Sequence, residues 1–489
     1  MIALTVLMAG TMVAMATRPA AADPGDAASG APAVSETWDW VLGQLATGTP
    51  VTSTSTVEPD QAYPPAWTGP VSGSVTLSGL PTPPALQDLQ IEALVVTDRA
   101  YSIAVAPVEA DGAFTFPWSH PGTKVFRLVD QATGDVLAEH APSHGLVRSY
   151  DVPEGHHLHG RAFSYDQALT LVTALSLGEL AVADRLAAGL LSLQTDGGPQ
   201  DGGFVTSAAA LYPEGAVPEY RTGNHALATY ALLRYLRDGS PDAAARAQAL
   251  DGAERGLDWL LARQAVDGPL AGLVRGGYGW YANGGFDPSY QLPWASTEHN
   301  VDAWHTLRLA EEVLGHAGAA GAVPVLHDAI LERLWSSEEG RFWQGRSPDG
   351  PDPGHALDVS SWGAIFLQAA GHQAQAAQAM ANIGWYASTH AGASGFAPVP
   401  FPAEPIVWVE GTAGVALAQL RLGQDPAPTL AALAPAATDG VYPGATRDDE
   451  WLSMTSAPAV GGATWVLLVR QAIAGLPSIW DLSDDEGRA

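Results

Sequence analysis

The chain has 489 residues, enough for one large domain and a small one with ample core, and a hydrophobic fraction of 47%, which excludes a globally disordered polymer. Its formal charge is −30 although only 15% of residues are charged, because bases are scarce and Lys124 is the only lysine. That balance excludes nucleic-acid binding, which needs clustered Lys and Arg, and adhesion to anionic membranes; with no cysteine, disulfides and thiol catalysis are excluded too.

Ile2 to Ala16 form an apolar run too short for a comfortable membrane span, so stable insertion is not expected. Ala20-Ala21-Ala22 before Asp23 supplies the small residues of a signal-peptidase site. Residues 1–22 are therefore read as the signal peptide of a secreted bacterial protein, although no basic segment precedes the run. Residues 23–68 are read as leader, short helix and linker. They are Ala/Gly/Pro/Ser-rich to 34, helical over 35–46 with Trp38, Trp40, Val41 and Leu45 available for burial, and Thr/Ser/Pro-rich beyond.

Over residues 69–153 the period changes to two, as in Val71, Gly73, Val75 and Leu77, with similar runs at 91–96, 102–105, 114–116 and 125–129. Short strands at this spacing predict a small antiparallel β-sandwich. The segment resembles the Ig-like or carboxypeptidase-regulatory-like modules of secreted enzymes. It carries no catalytic constellation and is read as a spacer.

Residues 154–489 read as helical. Helices are predicted near 166–177, 179–194, 224–238, 241–264, 299–316, 322–336, 358–371, 373–388, 410–422, 426–434 and 458–474, with 35–46 as a twelfth. Between them recurs a glycine followed by an aromatic ring: Gly203-Phe204, Gly277-Tyr278, Gly340 with Phe342, Gly395-Phe396, and Gly440 with Tyr442. Such repetition means helical hairpins laid side by side around a shared core. The expected fold is mainly α, an (α/α)6 toroid or barrel of alternating inner and outer helices. Inner helices should be apolar all round, as Trp362 to Leu367 are.

Polar chemistry gathers where the proposed inner helices begin: Tyr165-Asp166, Asn224-His225, Glu298-His299-Asn300-Val301-Asp302, Asp358 and Glu410. Parallel inner helices bring these N-termini to one mouth, where free N–H groups orient carboxylates. Asp166 and Asp358 are equally readable as helix caps, but Glu is a poor N-cap, so Glu298 and Glu410 call for another explanation. Glycosidic cleavage needs one carboxyl to protonate the leaving oxygen and another to activate water or attack. The candidate catalytic residues are Glu298 as acid, with Glu410 or Asp358 as base. Candidate substrate contacts are Asp166, Tyr165, Asn224, His225, Tyr278, Trp280, His299, Asn300, Asp302, Trp362 and Trp408, the rings serving as platforms for sugar faces. His299 and Asp302 share a helix face and could support Glu298, but no third ligand stands at metal spacing. No metal and no cofactor are expected. His156, His157 and His159 read as a polar joint, and Asp448-Asp449-Glu450 as a solvated charge run in a loop.

The segments Ser164-Tyr165-Asp166-Gln167-Ala168, Thr297 to Trp304, Asp358 to Ala364 and Val407 to Ala418 give residues 160–480 a resemblance to the six-hairpin glycosidase superfamily. The resemblance implies an (α/α)6 barrel and a glycoside hydrolase acting on a carbohydrate polymer. Related toroids include polysaccharide lyases and sugar epimerases. An inverting, monomeric glycoside hydrolase is the expectation. The alternatives are a lyase built on Tyr220, Asn224 and His225 with Arg221 neutralising a uronate, and a non-catalytic glycan-binding protein.

Overall fold

The structure, a computed structural model, describes residues 32–45, 53–61, 63, 67–96, 100–120, 122–141, 144–282 and 285–481. The expected signal peptide over 1–22 and most of the leader lie outside the described residues.

Helix α1 (Val34–Gly43) opens the described chain. Seven strands follow: β1 (Thr56–Pro59), β2 (Gly69–Thr76), β3 (Leu89–Val96), β4 (Ala100–Pro107), β5 (Ala113–Trp118), β6 (Thr123–Asp130) and β7 (Val136–His140). They form two antiparallel sheets, ordered β1-β2-β5 and β4-β3-β6-β7. The alternation that marks the sequence turns Val71, Phe114 and Phe116 of one sheet, and Ile91, Phe126 and Leu128 of the other, into a single apolar cluster.

Eleven further α-helices make the larger part of the fold: α2 (Ser164–Leu177), α3 (Leu180–Leu191), α4 (Thr222–Asp238), α5 (Ala243–Leu261), α6 (Thr297–Leu314), α7 (Ala317–Arg333), α8 (Leu357–Ala369), α9 (Gln373–Ala379), α10 (Val409–Arg421), α11 (Ala427–Leu433) and α12 (Val460–Ile473). The even-numbered helices form a closed inner ring, in which each packs on the next and α12 packs on α2. Each odd-numbered helix from α3 on lies outside, chiefly against the inner helix that precedes it; α1 closes the outer ring by packing on α12.

Sequence explains the division. In α8 every residue from Ser361 to Leu367 is buried, so the helix must sit between others. In α5 the buried set is a stripe, Ala249, Gly252, Ala253, Gly256, Leu257, Trp259 and Leu260, and the opposite face is wet.

One hydrogen bond repeats six times and locks the ring. The first amide of each inner helix donates to a carbonyl in the loop that enters the next inner helix. The pairs are Ser164 to Thr206, Thr222 to Gly276, Thr297 to Gln344, Leu357 to Pro398 and Val409 to Gly444, at 3.0–3.2 Å; Val460 returns to Ser149 at 2.9 Å. A second repeat uses the fourth residue of the helix as an acceptor. Gln167, His225, Asn300 and Thr412 take the amides of Val147, Phe204, Val274 and Phe396 respectively.

The Gly-aromatic punctuation belongs to these loops. At Gly277 the backbone has φ +124°, and a Cβ there would overlap the Tyr220 carbonyl. At Gly395 a Cβ would stand 2.6 Å from Thr412 Oγ1, the group that anchors the next residue. Phe204, Phe342 and Tyr442 are buried beside them.

Two helix boundaries differ from expectation by more than three residues. Helix α7 begins at Ala317 rather than 322, because His316 accepts the Ala319 amide as a cap and Pro324 faces solvent inside the helix. The helix expected over 373–388 ends at Ala379. Residues 387–390 pair instead with 393–396 in a hairpin whose tip, Ala391-Gly392, has positive φ.

The far end of the barrel is closed by the C-terminal segment. Trp480 meets Trp362 and Trp465 edge-on, at 5.5 and 5.6 Å, and stacks on His305 at 5.1 Å. Arg234 holds this segment through the Ser478 carbonyl, and Arg421 through Asp481. Among the described residues no helix is long and apolar enough to cross a membrane.

Candidate active site

None of the six inner helices has a side-chain N-cap, since loop carbonyls take the first amides. First-turn acids are thus free for other work. Only Asp358 turns partly back to its own helix, where Oδ1 accepts the Val359 amide at 2.7 Å.

The second residues of the inner helices are Tyr165, Gly223, Glu298, Asp358, Glu410 and Gly461, and they gather: the Tyr165 hydroxyl bonds Glu410, and Glu298 feels the charges of Asp358 and Glu410. Four residues further on, the same face carries Leu169, Leu227, Asp302, Trp362, Gly414 and Trp465 as the next layer down. The two glycines of the upper layer leave room for acids. A Cβ on Gly461 would lie 3.0 Å from Asp166 Oδ1 and 3.0 Å from Glu410 Oε2, so these carboxyls face each other across it. A Cβ on Gly223 would overlap His299 and lie 3.2 Å from Asp302 Oδ2. Gly461→Ala should therefore leave the unfolding temperature unchanged or slightly raised, as Ala favours a helix, while lowering turnover by crowding Asp166 and Glu410. Melting and kinetics on one preparation check this.

Five carboxyls share the pit, and burial raises all of them. Asp166 is pushed up to about 7 by burial, against a hydrogen bond from Ser149. Asp358 rises to about 6, also by burial, against backbone hydrogen bonds. Glu410 rises to about 8 through burial and the charges of Asp166 and Asp358, even though the Tyr165 hydroxyl favours its ionised form. That hydroxyl donates to Glu410 Oε1 at 2.5 Å and accepts the Trp465 indole N–H at 2.8 Å. Glu298 is raised well above the carboxylate range by burial, then by Asp358, Asp302 and Glu410. Asp302 is raised likewise, and neither of its oxygens has a hydrogen-bond partner. The pit therefore holds protonated and ionised carboxyls side by side near neutral pH. Even so, among the described residues no three acids or histidines are grouped to hold a metal.

His299 packs its ring 5.7 Å from Trp294, and burial together with Arg221 lowers it to about 4, so it is neutral at pH 7. Trp362 lies flat on Trp465, with centroids 5.2 Å apart, as part of the pit floor rather than a rim platform. Trp408 is partly buried, its ring against Gly411. Tyr278 and Trp280 belong to the hairpin 277–291 at the mouth. Trp280 is half exposed, with the Arg221 guanidinium 5.5 Å above its ring, and Tyr278 is covered by Arg263.

Two expected sugar contacts are corrected. His225 is fully buried, with Nδ1 taking the Phe204 amide and Nε2 on the Gly256 carbonyl at 2.8 Å. Asn300 is fully buried too, and its amide is spent on Val274 and Ser296. Both hold loops. The lyase constellation fails with His225. Tyr220 is buried against Thr195, and Arg221 is committed to Glu219 at 2.9 Å and to the carbonyls of residues 220, 278 and 279; Asn224 alone stays partly open.

The sequence reading missed Ser149, Tyr150, Gly461 and Trp465. Tyr150 is held above its usual value by burial, then by the charges of Asp166 and Glu410. It comes from the connector before the barrel, paired with Ala459, where no helical pattern marks it.

Among solved structures the chain is similar to a family 76 glycoside hydrolase from a bovine Bacteroides thetaiotaomicron strain. The TM-score is 0.50 at 10% identity, over 86% of this chain and 98% of that one. It is similar also to a D-mannose isomerase, with a TM-score of 0.51 at 14% identity, over 68% of this chain and 93% of that one. What the chain shares with both is the fold, a closed ring of six inner helices with six helices outside it. No protein-family model matches the chain, and no curated protein sequence does. Likeness at such identities is one of fold, so the chemistry must be argued from the side chains.

Proposed function

We propose that the protein is a glycoside hydrolase that cleaves a neutral carbohydrate polymer with inversion. The observation that supports this reading is the set of five carboxyls from four inner helices in one pit, with pKa values spread above the ordinary range. Glu298, whose protonated form is favoured by burial and by the acids around it, donates to the leaving glycosidic oxygen. Asp358 is the acid whose raised value still leaves it ionised at pH 7, and it activates the water. Glu410, with Tyr165 and Trp465 behind it, and Asp166 bind sugar hydroxyls. Inversion follows if a water fits between Asp358 and the anomeric carbon, which needs carboxyls ~6.5–9.5 Å apart.

A second reading, a sugar isomerase or epimerase, draws on the neutral His299 at the pit wall and on the fold shared with the D-mannose isomerase. A neutral imidazole can take a proton from a carbon beside a carbonyl. One assay separates the two. Purified protein is incubated with a panel of neutral polysaccharides and free aldoses, and reducing ends and sugar identities are measured. New reducing ends support hydrolysis; interconverted monosaccharide without them supports the second reading and overturns the first.

A further inference from the structure

A second feature of the mouth face lies away from the pit. The loops entering α10 and α12 enclose a cavity of about 280 Å³ lined by Ala403, Glu404, Arg447, Asp449 and Trp451, among others. That is just under the ~300–1,000 Å³ of pockets for drug-sized ligands, a size for one sugar ring. Trp451 is 84% exposed and Phe401 74% exposed.

The loop that presents Trp451 is braced from within. Asp449 and Met454 exchange backbone hydrogen bonds at 2.9 Å across the turn. Arg447 pairs with Asp449 at 2.6 Å and holds the Pro405 carbonyl at 3.1 Å. Asp448 takes the Ser456 amide at 2.6 Å and its hydroxyl at 2.9 Å. The acid run expected to be merely solvated thus spends two of its three members on holding the turn. Ser453 and Phe401, neither a glycine and each next in sequence to a lining residue, have φ of +55° and +50°. Strained backbone and a rigid scaffold that leaves a large indole in water are costs without a return in folding.

Position gives the ligand. Helices α6 and α12 stand three places apart in a ring of six, so the loops entering them lie on opposite sides of the mouth. One carries Trp451, and the other carries the hairpin with Trp280 and Tyr281, 49% and 73% exposed. The carboxyl pit lies between. An indole beside planar charged groups suits a pyranose, whose C–H face packs on the ring while its hydroxyls meet the carboxylates. The single cation, Arg447, is already paired with Asp449, so nothing there favours a uronate.

We propose that this cavity is a distal subsite that binds a neutral hexose or pentose unit of a glycan chain lying across the mouth, towards the aromatic hairpin. Which bond is cut rests on the hydrolase reading; binding at Trp451 does not.

The test is electrophoresis through native gels containing α-mannan, β-glucan, arabinan or polygalacturonate, with cleavage of the same polymers assayed in parallel. At least one neutral polymer should retard the wild type. Trp451→Ala should lose about tenfold in that affinity, about 1.4 kcal/mol, with an unchanged unfolding temperature. Equal retardation of wild type and Trp451→Ala overturns the subsite, as does retardation by polygalacturonate alone or by no polymer. A dimer that dissociates on Trp451→Ala without polymer binding also overturns it. If Trp451→Ala cuts and binds polymers as the wild type does, the subsite falls and the hydrolase stands. If polymers bind through Trp451 and none is cut, the hydrolase reading falls and the subsite stands.

Discussion

Glu298→Gln should lower turnover by about 10²–10⁴-fold, the usual contribution of a positioned general acid, and leave substrate affinity and folding near wild type. The reason lies in its surroundings. Burial and the neighbouring Asp358, Asp302 and Glu410 favour the protonated form of Glu298, so glutamine copies its shape and neutrality but has no proton to give. A glycoside whose leaving group departs as a stable anion, such as a glycosyl fluoride, needs no protonation. Glu298→Gln should recover most of its activity on such a substrate. Wild-type activity should also rise as pH climbs through about 6, where Asp358 ionises, and fall at higher pH once Glu298, raised well above an ordinary glutamate, loses its proton. Near-full activity of Glu298→Gln on the natural polymer would remove this residue from the mechanism.

The unfolding temperature should fall by several degrees between about pH 6.5 and about pH 8.5. Asp166 and Glu410 have folded values of about 7 and 8, above those of an unfolded chain and inside this window, while Asp358, at about 6, is already mostly ionised where it begins. A carboxyl shifted upward binds its proton more tightly when folded. Its stabilisation is complete at low pH and is lost as pH rises through the folded value. The comparison stops at pH 6.5 because His225, His299 and His305 are lowered by burial to about 3, 4 and 3. Below 6.5 the unfolded chain protonates these imidazoles and the folded one does not, so they pull stability down as pH falls. Glu410→Gln keeps an acceptor for Tyr165 and removes one charge, so it should flatten the alkaline slope and raise the melting temperature at pH 8.5. A melting temperature that rises from pH 6.5 to 8.5 would contradict the electrostatics described for the pit.

Much of the barrel is legible in the residues because its rules are local. Glycine is required where loop backbone crosses a neighbour, as at Gly277, and an aromatic ring fills the gap behind it, so the hairpins announce themselves. Glutamates in a first helical turn signal chemistry because they make poor caps, and Glu298 and Glu410 do stand in one pit. What is hidden depends on the ring itself. His225 and Asn300 look like ligands beside an acid, yet they occupy the fourth position of their helices, as do Gln167 and Thr412, and all four take a loop amide. Aligning the inner helices at their first residues would have exposed that column. Gly461 and Trp465 carry no such signal: one matters for the side chain it lacks, the other for a partner 300 residues away. The shortened α9 was lost to its alanine-rich composition, which favours helix beyond the point where the Ala391-Gly392 hairpin takes over.

A crystal structure of Glu298→Gln soaked with an oligosaccharide from a polymer the wild type cleaves would test the central idea most directly. A sugar ring is expected in the pit, with its glycosidic oxygen beside residue 298, a water held by Asp358 on the other face, and hydroxyls on Asp166 and Glu410. Sugar bound elsewhere on the protein, or these four side chains turned away from it, would rule out paired-carboxyl hydrolysis at this site.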